Sequence, residues 1–216
     1  MQQVTATRSE LLARRARIAL ATQGRDVLKE KRDSLMEEFR TTVEVAVAGT
    51  GALEEAAVEG RRALAAAEAG DGPEAVRSAA LAQPGEISLT TRETTVMGVR
   101  IADIRHEPLG RARSDRGYSL AGSSPALDRL AELFEAELTL LLDLATVELR
   151  LRRLADEIGT TTRRINALES VVLPRLAQER DQIRATLDER ERQDRFRLKR
   201  FATRRAQRVD AGEEFR

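Results

Sequence analysis

Two long, highly charged segments with helical periodicity, 7–39 and 157–200, stand at opposite ends of a 216-residue chain. A low-charge, Gly- and Pro-containing middle separates them. Helices at the two ends of one short chain bury their apolar stripes by folding back on each other. The fold class this predicts is all-α: a long antiparallel two-helix coiled coil formed by the N- and C-terminal helices, with a small middle region as its turn. Composition favours a rod over a globule. Charged residues make up 34% of the chain and aromatics 3%, with one Tyr and no Trp. A compact core of this size is normally filled with large rings, whereas a coiled-coil seam needs only Leu, Ile, Val and Ala.

Several classes of function are disfavoured by the same reading. There is no cysteine, so disulfides and thiolate metal sites are absent. The net charge of +1 gives no overall polybasic case for nucleic acid. The most apolar run, 138–144, is interrupted by Asp143 and falls far short of the roughly 20 residues of a membrane span. The N-terminal Met-Gln-Gln-Val-Thr lacks the pattern of a signal peptide. Direct membrane insertion is therefore not expected. His106, the only histidine, supports neither a metal cluster nor a catalytic triad, and reads as a solvated loop residue. The Gly49-Thr-Gly51 fragment lacks the rest of a dinucleotide loop, and no phosphate-binding Gly-Lys-Ser/Thr motif is present. No catalytic residue, cofactor site or metal site is expected.

The first helix is read over 1–70, capped by Thr5, Thr7 or Ser9. Leu11, Ile18, Leu28 and Leu35 fall on one heptad phase, shared with Arg14, Arg25 and Arg32. Gly49 and Gly51 mark a place where this helix loosens, and 69–73, Ala-Gly-Asp-Gly-Pro, stops it. The middle region, 71–122, contains an alternating β-branched stretch read as a short β-hairpin at 87–104, followed by a loop at 107–122. Ser123-Ser124-Pro125 opens the C-terminal helix, read over 123–208 with a disordered tail at 209–216. Its stripe is the clearest in the chain. Leu144, Val147, Leu151, Leu154, Ile158, Thr161, Ile165, Leu168 and Val172 alternate three- and four-residue steps. Leu176 and Ile183 continue it only after two consecutive four-residue steps, a stutter that locally unwinds a left-handed supercoil. Pro174 sits inside the stutter and removes a donor to the Ser170 carbonyl. Over 175–205 basic side chains outnumber acidic ones, so the end where this segment meets the basic start of the first helix is a basic tip.

Islands in both terminal segments carry a family resemblance. Thr7-Arg8, and 24–35 reading Gly-Arg-Asp-Val-Leu-Lys-Glu-Lys-Arg-Asp-Ser-Leu, resemble the N-terminal signature of the D subunit of V-type and A-type ATPases. Thr162-Arg163-Arg164-Ile165-Asn166-Ala167-Leu168-Glu169, followed by Pro174, resembles the matching C-terminal signature. Val96-Met97-Gly98-Val99 and 123–128 add weaker islands in the same order, while Gly49, Gly51 and the loop 105–117 match no signature. The resemblance implies a central-stalk rotor shaft, without catalytic activity of its own, that transmits torque between a catalytic ring and a membrane rotor ring. It thereby implies coupling of ATP synthesis or hydrolysis to ion transport. The implied partners are the catalytic and nucleotide-binding ring subunits, a small companion stalk subunit and the stalk component that docks on the membrane ring. The implied location is cytoplasmic, peripheral to the membrane. By the same analogy Arg8, Arg163, Arg164, Arg195, Arg197, Lys199 and Arg200 are candidate contacts with the stator. The competing reading is a coiled-coil adaptor whose basic tip binds nucleic acid or a helical partner; acids interleaved in the tip and few aromatics disfavour nucleic acid.

Overall fold

A computed structural model of the chain describes residues 6–82, 87–119 and 123–213. The element order is α1 (Arg8–Asp71), α2 (Pro73–Leu81), β1 (Leu89–Val96), β2 (Val99–His106), a 3₁₀ turn (Arg113–Asp115), α3 (Pro125–Ala167), a π turn (Leu168–Val172) and α4 (Leu173–Glu213). The described residues are mainly helical with one two-stranded sheet, the all-α class with a small hairpin. The chain divides into two compact units, 1–30 with 161–216, and 31–160.

In the first unit the N-terminal part of α1 runs antiparallel to the C-terminal helix. Thr7 caps α1: its Oγ1 accepts from the Glu10 N–H at 3.2 Å. Leu11, Ile18 and Leu28 are half-buried on the paired side, opposite Thr161, Ile165 and Ile183, which are buried. A ladder of ion pairs fixes the direction: Arg8–Glu191 at 2.7 Å, Arg14–Glu179 at 3.2 Å and Lys29–Glu169 at 2.6 Å. The inward place expected of Val172 is taken by Leu173. Val172 is 37% exposed, and Leu173 is half-buried. The cause is the π turn, in which the Leu173 N–H donates to the Leu168 carbonyl. It absorbs the extra residue that the stutter would have spread as unwinding. Helix α4 then continues to Glu213, past the expected end at 208; Ala202, Ala206, Gln207, Arg208 and Ala211 favour helix, and Gly212 falls only in its last turn. Of the expected tail, residues 214–216 lie outside the described residues.

In the second unit the later part of α1 pairs with α3, again antiparallel, through Lys31–Glu157 at 2.6 Å and an Arg150–Glu38 ion pair. Leu35 and Leu154 are fully buried, while Leu144, Val147, Leu151 and Ile158 are half-buried. α1 passes through Gly49–Gly51 without a break. A Cβ on Gly49 would lie 3.4 Å from the Leu144 side chain, and one on Gly60 only 3.0 Å from Glu137 Oε2. The first is an ordinary contact and the second is with the end of a flexible side chain, so it is at Gly60, which is buried, that α3 lies nearest to α1. α1 ends at Asp71, and Gly72 turns the chain with φ +83° into α2, a short helix that the sequence reading did not foresee. Pro73 occupies its first turn and Val76 and Ala79 are buried against Ala67, Leu127 and Leu130.

β1 and β2 form an antiparallel hairpin in register Leu89 with His106 through Val96 with Val99. It starts and ends two residues later than the expected 87–104. Met97 and Gly98 make its turn with φ of 49° and 80°, the positive pair a two-residue type I′ loop requires. Val99 and Ile101 pack with Leu35 and Leu154 in one buried cluster, so the hairpin is anchored on the helix pair. His106 is not a solvated loop residue. It ends β2, its side chain is 14% exposed, its Nδ1 lies 3.0 Å from the Glu107 carbonyl and its Nε2 3.5 Å from Asp143. Ser124 caps α3, accepting from the Leu127 N–H at 3.2 Å and donating to Asp71.

Candidate functional site: the basic overhang of the C-terminal helix

The first unit ends in an asymmetry of helix length. α1 begins at Arg8, beside Arg190 and Glu191: Arg8 bonds Glu191, and Arg190 Nη1 donates to the Ala6 carbonyl at 3.0 Å. α4 runs on to Glu213. From 192 to 205 every residue is exposed. This stretch of α4 therefore overhangs its partner helix as a single helix.

Arg195, Arg197, Lys199 and Arg200 all lie on the overhang, and Arg8 lies at its root. Arg8 and Arg195 converge on one carboxylate, Glu191, at 2.7 and 3.5 Å. The Arg8 guanidinium, by hydrogen bond and charge, holds Glu191 below the usual carboxylate range. Arg163 and Arg164 are also exposed but sit on α3, before the π turn. At about 1.5 Å per residue they lie roughly 45 Å along the helix axis from Arg195. The candidate contacts thus form two separate stations, one at the overhang and one beside the seam at Ile165.

The overhang is not simply basic. Phe196, Leu198 and Phe201 are each 68% exposed. At about 100° per residue, Leu198 and Phe201 point roughly 160° and 140° away from Phe196 around the helix. Apolar side chains on opposite sides cannot all be covered by packing on one flat surface. They can be covered by a partner that surrounds the helix.

A second constellation, in the other unit, escaped the sequence reading. Arg116 is only 2% exposed, although it lies in the stretch 107–122 read from the sequence as a loop. Its Nε and Nη2 donate to the two carboxylate oxygens of Glu135 at 3.2 and 3.0 Å, and its Nη1 donates to the Asp128 carbonyl at 3.3 Å. Arg113 reaches Asp128 Oδ2 at 3.2 Å, and the Tyr118 hydroxyl donates to Asp128 Oδ1 at 2.8 Å. The Glu135 hydrogen bond holds the Arg116 guanidinium charged beyond its ordinary range. Burial, then the bond to Asp128, pushes the Tyr118 phenol up. This cluster straps the loop onto the start of α3, beside an apolar cavity of about 580 Å³ lined by Leu64, Val76, Leu127, Phe134 and Leu138. Among the described residues no helix is long and apolar enough to cross a membrane, and no cluster of three metal-ligating side chains occurs.

The model of the family described as the D subunit of ATP synthase matches residues 10–203. The D subunit of the A-type ATP synthase of Thermococcus gammatolerans is 41% identical over 197 residues, covering 91% of this chain and 92% of that protein. The D subunit of the V-type ATP synthase of Anaeromyxobacter sp. strain K is 40% identical over 204 residues, covering 94% and 98%. The corresponding A-type D subunit of Archaeoglobus fulgidus is 37% identical over 209 residues, covering 95% and 99%.

Proposed function

Since the chain belongs to the family of ATP synthase D subunits, we propose that it is the rotor shaft in the central stalk of an A/V-type rotary ATPase. In this reading it performs no chemistry itself. It carries torque between a catalytic ring and a membrane rotor ring, coupling ATP synthesis or hydrolysis to ion transport. Its partners are the ring's catalytic and nucleotide-binding subunits, a companion stalk subunit and the component that seats the stalk on the membrane ring. It works at the cytoplasmic face of the membrane without entering it.

The observation that carries this reading is the overhang of α4. A single helix with Phe196 on one side and Leu198 and Phe201 towards the other is suited to a bore. Its basic side chains give a positive field to meet acidic groups on the wall. Contacts with that wall must be individually weak, because a tightly held shaft could not turn. Exposed ion pairs, worth about 0–1 kcal/mol each, meet this requirement. The seam residues Leu11, Ile18, Leu28, Leu35, Leu144, Val147, Leu151, Leu154, Ile158, Ile165 and Leu168 hold the two helices of each unit together under load.

Truncation after Asp194 removes the overhang and leaves the Arg8–Glu191 contact. In the reconstituted complex it lowers ATP-driven ion pumping per ATP hydrolysed, while nucleotide binding by the ring is unchanged. Single changes to alanine at Arg195, Arg197, Lys199 or Arg200 are nearly silent. Loss of nucleotide binding on truncation, or ATP hydrolysis by this chain alone, overturns the reading.

A further inference from the structure

The π turn at Leu168–Val172 has a reason in the sequence. Upstream in the first unit, Thr161, Ile165 and Leu168 keep the three- and four-residue steps of a heptad. Downstream, Leu176, Ile183 and Leu187 keep the same register, one heptad and then a four-residue step apart, with Ile183 2% exposed. Leu176 lies eight residues after Leu168, one more than a heptad. Eight residues of α-helix overshoot two turns by about 80°. Unbroken α-helix would therefore present Arg175, Gln182 and Thr186 to α1 in place of Leu176, Ile183 and Leu187. The wider turn takes up the surplus residue, and the apolar stripe resumes on the same side.

The surplus is held at one place from both directions. Pro174 has no N–H for the Ser170 carbonyl, and its ring crowds that carbonyl in an α-helix, so a widened turn fits just before it. The Ser170 side chain bonds back into the preceding turn, its hydroxyl donating to the Asn166 carbonyl at 2.6 Å. On the facing helix Lys29 grips Glu169, inside the turn, at 2.6 Å, and Arg14 grips Glu179, beyond it, at 3.2 Å.

We propose that the π turn is a phase-setting joint: it stores the one residue by which the stripe of α4 exceeds the heptad, and so fixes which face of the overhang looks in which direction relative to α1. A ring around the overhang then meets Phe196 and Phe201 at set angles. Only this consequence rests on the shaft reading; the joint itself is a property of the free chain.

The chain has no cysteine, so introduced pairs are unambiguous. Arg14→Cys is combined in turn with Gln178→Cys, Glu179→Cys and Arg180→Cys, and each pair is joined with a short bifunctional thiol reagent. In the otherwise native chain the pair with position 179 reacts fastest. Deleting Val172 removes the surplus residue, and the fastest pair remains the one at the original Glu179, with helicity by circular dichroism retained. Inserting one alanine after Val172 adds about 100°, and the position-179 rate falls at least tenfold. A shifted maximum on deletion, or an unchanged maximum on insertion, overturns the joint. In the assembled complex the deletion leaves pumping per ATP intact and the insertion lowers it. Should the cross-links behave as expected while the insertion leaves pumping intact, the joint stands and the shaft reading falls.

Discussion

The buried Arg116–Glu135 pair makes the sharpest energetic test of the second unit. Replacing Glu135 with Gln removes the charge that compensates a guanidinium 2% exposed, while keeping the side chain's size. Removing one partner of a buried ion pair typically costs about 3–5 kcal/mol, because the other charge is left without compensation. Asp128 Oδ1 still faces Arg116 at 3.7 Å, and the Glu135 side chain itself is 17% exposed. Both features place the loss at the low end, about 3 kcal/mol. Arg116→Met leaves two carboxylates, but each retains a donor: the Arg111 N–H at 3.2 Å from Glu135, and Arg113 at 3.2 Å from Asp128. Its cost is of the same size. The double variant Arg116→Met with Glu135→Leu removes both charges together and lies within about 1 kcal/mol of the parent, since an apolar replacement of a whole buried pair is often neutral. The assay is urea unfolding followed by the fluorescence of Tyr118, the chain's single tyrosine in the absence of tryptophan. Its hydroxyl bonds Asp128, so the signal reports this unit. Additive costs in the double variant, or a loss below about 1 kcal/mol for Glu135→Gln, refute the argument that the loop is strapped down by charge.

The same tyrosine gives a pH prediction. A phenol ordinarily titrates near pH 10, and burial with the bond to Asp128 raises Tyr118 above that. Its neutral form therefore contributes stability that is fully present below the unfolded value and lost as pH rises through the folded one. Ultraviolet absorbance should show one phenol titrating above pH 10 in the native chain and near 10 in urea; equal midpoints would remove the basis for its half-buried bond. At the hairpin, Ile101 is 1% exposed against Leu35 and Leu154. Ile101→Ala should cost about 3 kcal/mol, read as a roughly hundredfold loss of amide hydrogen-exchange protection in β1 and β2 with the helix signal retained. Unchanged protection would mean that the cluster does not anchor the hairpin.

What could be read from the sequence was whatever repeats or punctuates. The stripe from Leu144 to Leu168 announces itself by spacing, and Ser124-Pro125 and Thr7 mark helix starts through capping chemistry that acts over three residues. The hairpin followed from alternation, shifted by two residues because Arg105 and His106 are polar yet still pair with Thr90 and Leu89. The π turn was half legible. The eight-residue interval and Pro174 are visible, but a surplus residue can be spread as unwinding or held in one wide turn, and spacing alone does not choose. Arg116 was illegible. Its loop has no period, and its partners lie 12 and 19 positions away on a helix whose approach depends on Gly72, α2 and the close packing at Gly60. A guanidinium in a Gly- and Pro-rich stretch looks solvated until that packing closes over it.

The basic character of the tip and the pairing of the helices turn out to have one origin. In the first unit the interhelical ion pairs place the cation on α1 and the acid on the partner helix: Lys29 with Glu169, Arg14 with Glu179, Arg8 with Glu191. Three acids of the C-terminal helix, Glu169, Glu179 and Glu191, are thus engaged by α1 where it lies beside that helix, while Asp181, Asp188 and Glu189 pair with arginines of α4 itself. Past Glu191 there is no α1 to neutralise, and Asp194 is the sole acid before Arg205. Positive charge therefore accumulates where the helix stands alone. Such exposed pairs contribute little stability individually, so their service along the paired stretch is to set direction and register. On the overhang the unbalanced cations act only over a Debye length of about 8 Å at physiological salt. That range is short enough for a surrounding wall to feel them and for a distant surface not to. A chain with a net charge of +1 can in this way present a strongly charged end. A helical pair of unequal lengths produces that asymmetry without any dedicated basic domain.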